Sequence, residues 1–405
     1  MKYLLNIILY FFPILLLAQA SNAPQVNVPK GIRIGMEVPA DVLGKTVDGK
    51  SIPAINALPQ DLVILDFMTT ACTSCIAALP RLNNLQNANS NVLKIISVSY
   101  EETARAQALK KKNEVFKANK LDFVVEDSIW TRYFPHQTVS HMVWVYKGKV
   151  IAITFSEFVD QDMIDSVLKD GKLDLPVKND FLTFDFSRPL MENNLGKFSF
   201  LTGFIEGAYT KFDRYADSVN NMIRECIVNA EIVPAFLYCY GKIVELPYIK
   251  DSRIIVERPD KERFIFDKER SKYRELWKRK YGISYEANFD LHADTKTNMK
   301  AMIKDMELKL GVKTALEPRP VMCWVIKDDP EAKAAVRSED GQTIANFAFM
   351  LDLNGERPPV INESSNGYKY KFTGGSNYEE LKVALKKTGF LLTQEERQIP
   401  CLVIK

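Results

Sequence analysis

The sequence predicts an α/β unit followed by an α+β unit with an internal duplication, and three observations predict it. Over residues 34–172, apolar runs suited to buried strands alternate with stretches of helical period. Further on, Gly311, Arg319, Cys323 and Lys327 recur 78 residues later as Gly389, Arg397, Cys401 and Lys405. At 405 residues the chain is also too long for one typical domain and calls for two or three.

Composition supplies the material for more than one core: 46% of residues are hydrophobic and 26% charged. A net charge of +3 spread over this length argues against a dedicated surface for nucleic acid or an anionic membrane. Residues 1–20 have the form of a secretory signal. Lys2 provides the basic start, residues 4–17 an apolar core interrupted by Pro13, and Ala18-Gln19-Ala20 a cleavage site. The core is short for a membrane span, so the sequence predicts cleavage near Ala20, export to the periplasm and no stable membrane insertion afterwards. Disulfides persist in that compartment.

Taken in order, residues 21–33 read as a linker. Residues 45–52 read as a hairpin around Asp48-Gly49. Residues 62–68 make a buried strand, and 73–88 a helix with Ile76, Leu79, Leu82 and Leu85 in helical register. A strand at 92–98, a charged helix at 101–117 with Ala104, Ala108 and Val115 on one side, and a short strand at 123–125 follow. Residues 141–146 and 150–155 form a hairpin around Lys147-Gly148-Lys149, and a helix at 160–168 closes the unit.

The chemistry concentrates where the 62–68 strand gives way to the helix. Cys72 and Cys75 are spaced as a Cys-x-x-Cys pair, with the first sulfur at a helix N-terminus. Unpaired backbone N–H groups and the helix dipole there favour a thiolate, and one turn of separation allows a short disulfide. Half of a zinc site has the same spacing, and Cys72, Cys75 and His141 would be three ligands without an obvious fourth. Redox work is therefore the preferred expectation, with no metal and no cofactor.

With Asp66 six residues before Cys72 and Pro80 five after Cys75, this stretch resembles the thioredoxin superfamily. There a buried acid and a helix proline stand at those positions. The β-α-β-α-β-β-α order agrees, and the export signal makes the TlpA/ResA branch the nearest resemblance. The resemblance implies a thioredoxin-like fold over 34–172 and thiol–disulfide exchange. In that exchange Cys72 is the attacking sulfur, Cys75 the resolving one, and Asp66 the proton acceptor and donor beneath them. The implied partners are protein thiols and disulfides plus a membrane electron donor, with no nucleic acid, and the analogy favours a reductant over an oxidant.

Two positions depart from the pattern. Ala71 replaces the usual aromatic residue before the first cysteine, and Ser140 stands where the family carries a cis-proline facing the pair. A non-proline cis bond costs about 2.5–4 kcal/mol, so the Val139–Ser140 bond is expected to be trans unless tertiary contacts hold it cis. Val139, Ser140 and His141 are the expected substrate groove in either case, and a histidine close to Cys72 would help stabilise its thiolate. The two departures motivate an alternative: a low-turnover partner-binding module in which the C-terminal half provides recognition. A peroxidase is disfavoured by the pairing of the cysteines.

Polar residues 173–199 mark a boundary. Beyond it, 181–209 look strand-like and 214–240 mainly helical, which places Cys226 and Cys239 on one helical stretch with Pro234 between them. The repeats at 300–327 and 378–405 each read as helix, glycine cap, strand, turn and second strand, the two copies sharing one sheet. With Phe289-Asp290-Leu291-His292-Ala293 and the section around Gly367-Tyr368, residues 200–405 resemble an uncharacterised domain of exported bacterial proteins of the soil-bacteria type. The resemblance brings no activity with it. Cys323 and Cys401 are expected to be buried free thiols, with a disulfide between neighbouring strands the less favoured alternative; Cys226 and Cys239 stand too far apart on a helix to bridge unless the chain folds back at Pro234, and His292 is expected to pack or cap.

Overall fold

The computed structural model describes residues 25–26, 30–186, 188, 190, 197–246, 250–332, 337–355, 357–372 and 377–405. The expected signal segment at 1–20 lies outside them. The chain divides into two compact units, residues 1–185 and 186–405.

The first unit is built on a seven-stranded sheet. Its strands are β1 (Val42–Thr46), β2 (Ser51–Ala54), β3 (Leu62–Phe67), β4 (Leu93–Val98), β5 (Asp122–Val125), β6 (His141–Tyr146) and β7 (Lys149–Thr154), in the order β2-β1-β5-β4-β3-β6-β7. Helix α1 (Thr73–Ala88) connects β3 to β4, which lie parallel. Helices α2 (Thr103–Lys112) and α3 (Glu114–Ala118) connect β4 to β5, also parallel. β6 returns antiparallel to β3, β7 pairs antiparallel with β6, and α5 (Gln161–Asp170) follows. A short helix, α4 (Trp130–Tyr133), precedes β6. A β-α-β half joined to a β-β-α half, with the third strand reversed, is the thioredoxin-like fold.

The central strand is fully buried, and its alternation separates two cores. Leu62 and Ile64, with Met68 just beyond the strand, pack on the face shared with Cys75, Ile76, Leu79 and Leu82 of α1. Val63, Leu65 and Phe67 face the other way, against Trp130, Phe134 and Val143. The predicted helix at 101–117 is two helices, because Asn113 leaves helical geometry and its side chain caps the second by accepting the Phe116 N–H at 2.9 Å. Ala106 and Phe116, not Ala104, Ala108 and Val115, are the buried residues.

The second unit holds two four-stranded sheets. One is β8 (Ser199–Thr202), β12 (Ile283–Asp290), β10 (Met222–Ala230) and β9 (Lys211–Asp217), in that order. Residues 211–230 are thus a hairpin, and only α6 (Ile232–Ile243) is helical, which corrects the expectation of a helix over 214–240. Residues 223–230 are buried throughout, Arg224, Glu225 and Asn229 included, so the stretch lacks the in–out alternation that marks a half-buried strand. Cys226 accordingly lies on a strand and Cys239 on a helix.

The other sheet runs β11 (Ile254–Val256), β15 (Phe390–Ile404), β13 (Thr314–Asp328), β14 (Val360–Asn362). The repeat is present: α8 (Thr295–Leu310) and α10 (Tyr378–Lys387) lead through Gly311 and Gly389, both at positive φ, into β13 and β15. Each copy continues as a single 15-residue strand instead of strand, turn and strand. The two pair antiparallel over their full length, and Pro318 faces Pro400. Bonded and unbonded pairs alternate along such a ladder, so two residues without N–H groups occupy an unbonded pair at no loss to it. Cross-strand ion pairs repeat as well: Lys327 with Glu395 at 2.6 Å, and Lys405 with Glu317 at 2.9 Å. All four cysteines of this unit are free and buried, and His292 is exposed. Other helices of the unit include α7 (Arg274–Tyr281) and α9 (Ile344–Asp352). Among the described residues, no helix is long and apolar enough to cross a membrane.

Candidate functional site

β3 delivers the chain to the site. After Phe67, residues 68–71 turn out of the sheet, and Cys72 becomes the N-cap of α1. Cys72 and Cys75 are joined as a disulfide with Cα atoms 5.3 Å apart. The Cys75 N–H donates to Cys72 Sγ at 3.2 Å, and the Ser74 hydroxyl lies 3.4 Å from the same sulfur. The first sulfur therefore occupies the place where a helix N-terminus stabilises negative charge. Exposure differs between the two cysteines: Cys72 is half-buried, whereas Cys75 is 2% exposed. Only the first sulfur is placed to meet a partner.

Asp66 sits at an even position of β3, on the face that carries Ile64, Met68 and Cys75. It is 1% exposed, and among the described residues the Ser97 hydroxyl is the polar neighbour of its carboxylate, with no close hydrogen bond made to either oxygen. Burial pushes its pKa up to about 7, while the neighbouring Ser97 hydroxyl and Arg81 guanidinium offset part of the rise. Arg81 itself donates to the carbonyls of Val159 and Ser156. Pro80 lies inside α1 and is exposed. It has no N–H to give the preceding turn.

The turn before Cys72 is held by an acid from the next strand connection. Glu101 is 7% exposed; its carboxylate accepts the Thr70 N–H at 2.6 Å and the Thr70 hydroxyl at 3.0 Å, and pairs with Arg105 at 2.9 Å.

Opposite, Phe67 pairs with His141 as the last pair of the β3–β6 ladder, so residues 68–70 and 138–140 leave the sheet from the same end. Val139 and Cys72 pack against the same core cluster as Cys75. The Val139–Ser140 bond is cis, which corrects the expectation of a trans bond. The loop leading into that bond is fixed by long-range partners that local sequence does not announce. Lys178, 4% exposed, donates to the Thr138 carbonyl at 2.9 Å and pairs with Asp180 at 2.7 Å. Asp180 in turn accepts the N–H groups of Gln137 and Thr138, both at 2.9 Å, and the Thr138 hydroxyl at 3.0 Å.

His141 is buried, stacks on His136 with ring centroids 4.8 Å apart, and has its Nδ1 3.4 Å from Lys178 Nζ. Burial, then the Lys178 cation, push its pKa down to about 3. The ring is neutral, so it brings no positive charge to a thiolate. Its side chain contacts Phe67, on the face of β3 away from Asp66. Beside it, a cavity of about 540 Å³ is lined by Ile32, Phe134, Pro135, Ile153, Lys178 and Phe181, among others. No group of three His, Cys, Asp or Glu side chains among the described residues is placed to hold a metal ion.

Glu101, Lys178 and Asp180 were not foreseen from the sequence. Each acts on backbone far away in the chain, and a charged residue in a polar stretch carries no local mark of such a bond.

No protein-family model and no curated relative matches the chain. Solved structures that resemble it do so over about a third of its length. One is the thioredoxin domain of a thiol-disulfide oxidoreductase from Bacteroides vulgatus, at 23% identity and TM-score 0.28, covering 34% of this chain and 98% of that one. A thiol:disulfide interchange protein from Bacteroides sp. is also 23% identical, with TM-score 0.28 and coverages of 34% and 90%. A thiol-disulfide oxidoreductase from Bacteroides fragilis is 19% identical, with TM-score 0.26 and coverages of 33% and 98%.

Proposed function

We propose that the first unit is a thiol–disulfide oxidoreductase working outside the cytoplasm as a reductant of protein disulfides. The observation that carries the exchange chemistry is the asymmetry of the pair: a half-buried sulfur at a helix N-terminus, bonded to a buried one in the layer that also contains Asp66. In the reduced protein, the Cys72 thiolate attacks one sulfur of a partner disulfide. A mixed disulfide forms, and the partner's other sulfur leaves and takes a proton. The Cys75 thiol then gives its proton to the Asp66 carboxylate and attacks Cys72 Sγ, releasing the partner's second sulfur as a thiolate, which takes up the proton that Asp66 returns. The partner gains two electrons and two protons, and Cys72 and Cys75 end as the disulfide seen here. A pKa of about 7 suits Asp66 to accept and return a proton near neutrality.

The apolar, Lys2-started segment at 1–20 supports export, and regeneration of the dithiol then requires an electron donor, which the export reading places at the membrane. The direction of electron flow rests on the TlpA/ResA resemblance alone. Reduction of insulin by the purified protein with dithiothreitol as electron donor tests the reading. Turnover that disappears in Cys72→Ala supports it. Turnover that is absent, or indifferent to Cys72, favours the partner-binding module instead.

A further inference from the structure

We propose that Lys178 and Asp180 are positioning residues for disulfide exchange, a role that rests on the exchange reading above. Together they clamp the loop against which a partner polypeptide must lie to bring its disulfide to Cys72. Around the three protons of Lys178 Nζ stand both Asp180 carboxylate oxygens, the Thr138 carbonyl and His141 Nδ1. Asp180 meanwhile takes up the two backbone N–H groups of Gln137 and Thr138 and the Thr138 hydroxyl. Both the donor and acceptor sides of Thr138 are thus engaged by one ion pair. Thr138 lies one residue before Val139, which packs against the same core cluster as Cys72.

The ion pair is buried on the Lys178 side, so it holds its geometry without the side-chain fraying of a surface pair. It touches neither sulfur nor Asp66. Loss of the clamp is therefore expected to loosen partner docking while leaving the reactivity of Cys72 itself in place.

The experiment uses the full chain in three forms: wild type, Lys178→Met and Thr138→Val. The last removes only the hydroxyl contact to Asp180. Insulin reduction is measured as KM and kcat separately, alongside the rate at which reduced Cys72 reacts with the small disulfide DTNB. For Lys178→Met the expected result is a KM for insulin raised about tenfold, with kcat and the DTNB rate within about twofold of wild type. Thr138→Val is expected to shift KM in the same direction by about threefold, and it carries the test should Lys178→Met not fold. An unchanged KM in a folded variant, or a DTNB rate that falls in parallel with insulin turnover, overturns the positioning role. A wild type without Cys72-dependent turnover overturns the exchange reading itself, and this inference with it.

Discussion

Asp66 and Cys75 are buried in one layer between the central strand and the helix that follows it, the acid 1% and the thiol-bearing residue 2% exposed. An ionisable acid without a close hydrogen bond in such a layer is expensive to keep charged, and this burial raises its pKa to about 7.

The raised pKa has a stability signature. The ordinary value is 3.8 and the folded value about 7, so the folded chain holds this proton over a range where the unfolded chain has lost it. The contribution is fully present below about pH 4 and is lost as pH rises through 7, a decrease on the order of 4 kcal/mol. Asp66→Asn should flatten this part of the pH–stability curve of the oxidised protein and be the more stable form at pH 8. Urea unfolding between pH 4 and 8 checks it.

The same substitution should separate the two chemical steps. Formation of the mixed disulfide by Cys72 is expected to continue in Asp66→Asn, while its resolution by Cys75 slows about a hundredfold at pH 8 and loses its dependence on a group titrating near 7. Stopped-flow measurement of the two phases with a peptide disulfide decides it; equal slowing of both phases contradicts the assignment.

His141 should stay neutral through the physiological range. Its folded pKa of about 3 lies below the ordinary 6.5, so its contribution to stability is present above pH 6.5 and is lost on acidification towards 3. The NMR signals of its ring are expected not to shift between pH 5 and 8; a midpoint near 6.5 would show that the ring is not held as described.

The remaining cysteines should be silent. Burial pushes the thiols of Cys226 and Cys239 up to about 12 and raises those of Cys323 and Cys401. Native reduced protein should therefore react with a thiol reagent at Cys72 ahead of the five buried cysteines, and at all six after denaturation.

Much of the first unit was legible because its signals are local. The buried run at 62–67, the Asp-Gly turn and the Cys-x-x-Cys pair ahead of a helical pattern each depend on near neighbours. The place of Asp66 beneath the pair was implied by the resemblance to the thioredoxin superfamily and not by its near neighbours. What stayed hidden depends on distant partners: Lys178 and Asp180 on Thr138, Glu101 on Thr70, and the cis bond at Ser140. In the second unit, the hairpin at 211–230 was mistaken for a helix because buried strands lose the alternation that identifies them. The 78-residue offset located the duplication, but the turn expected within each copy is absent because the two strands pair along their whole length with a partner far away in the chain.

The account stands most directly on which sulfur a partner meets first. With a peptide disulfide as substrate and Cys75→Ala as the enzyme, a stable mixed disulfide should accumulate and map by mass spectrometry to Cys72, while Cys72→Ala forms none. An adduct on Cys75 in the latter variant at a comparable rate, or no adduct in either, would contradict it.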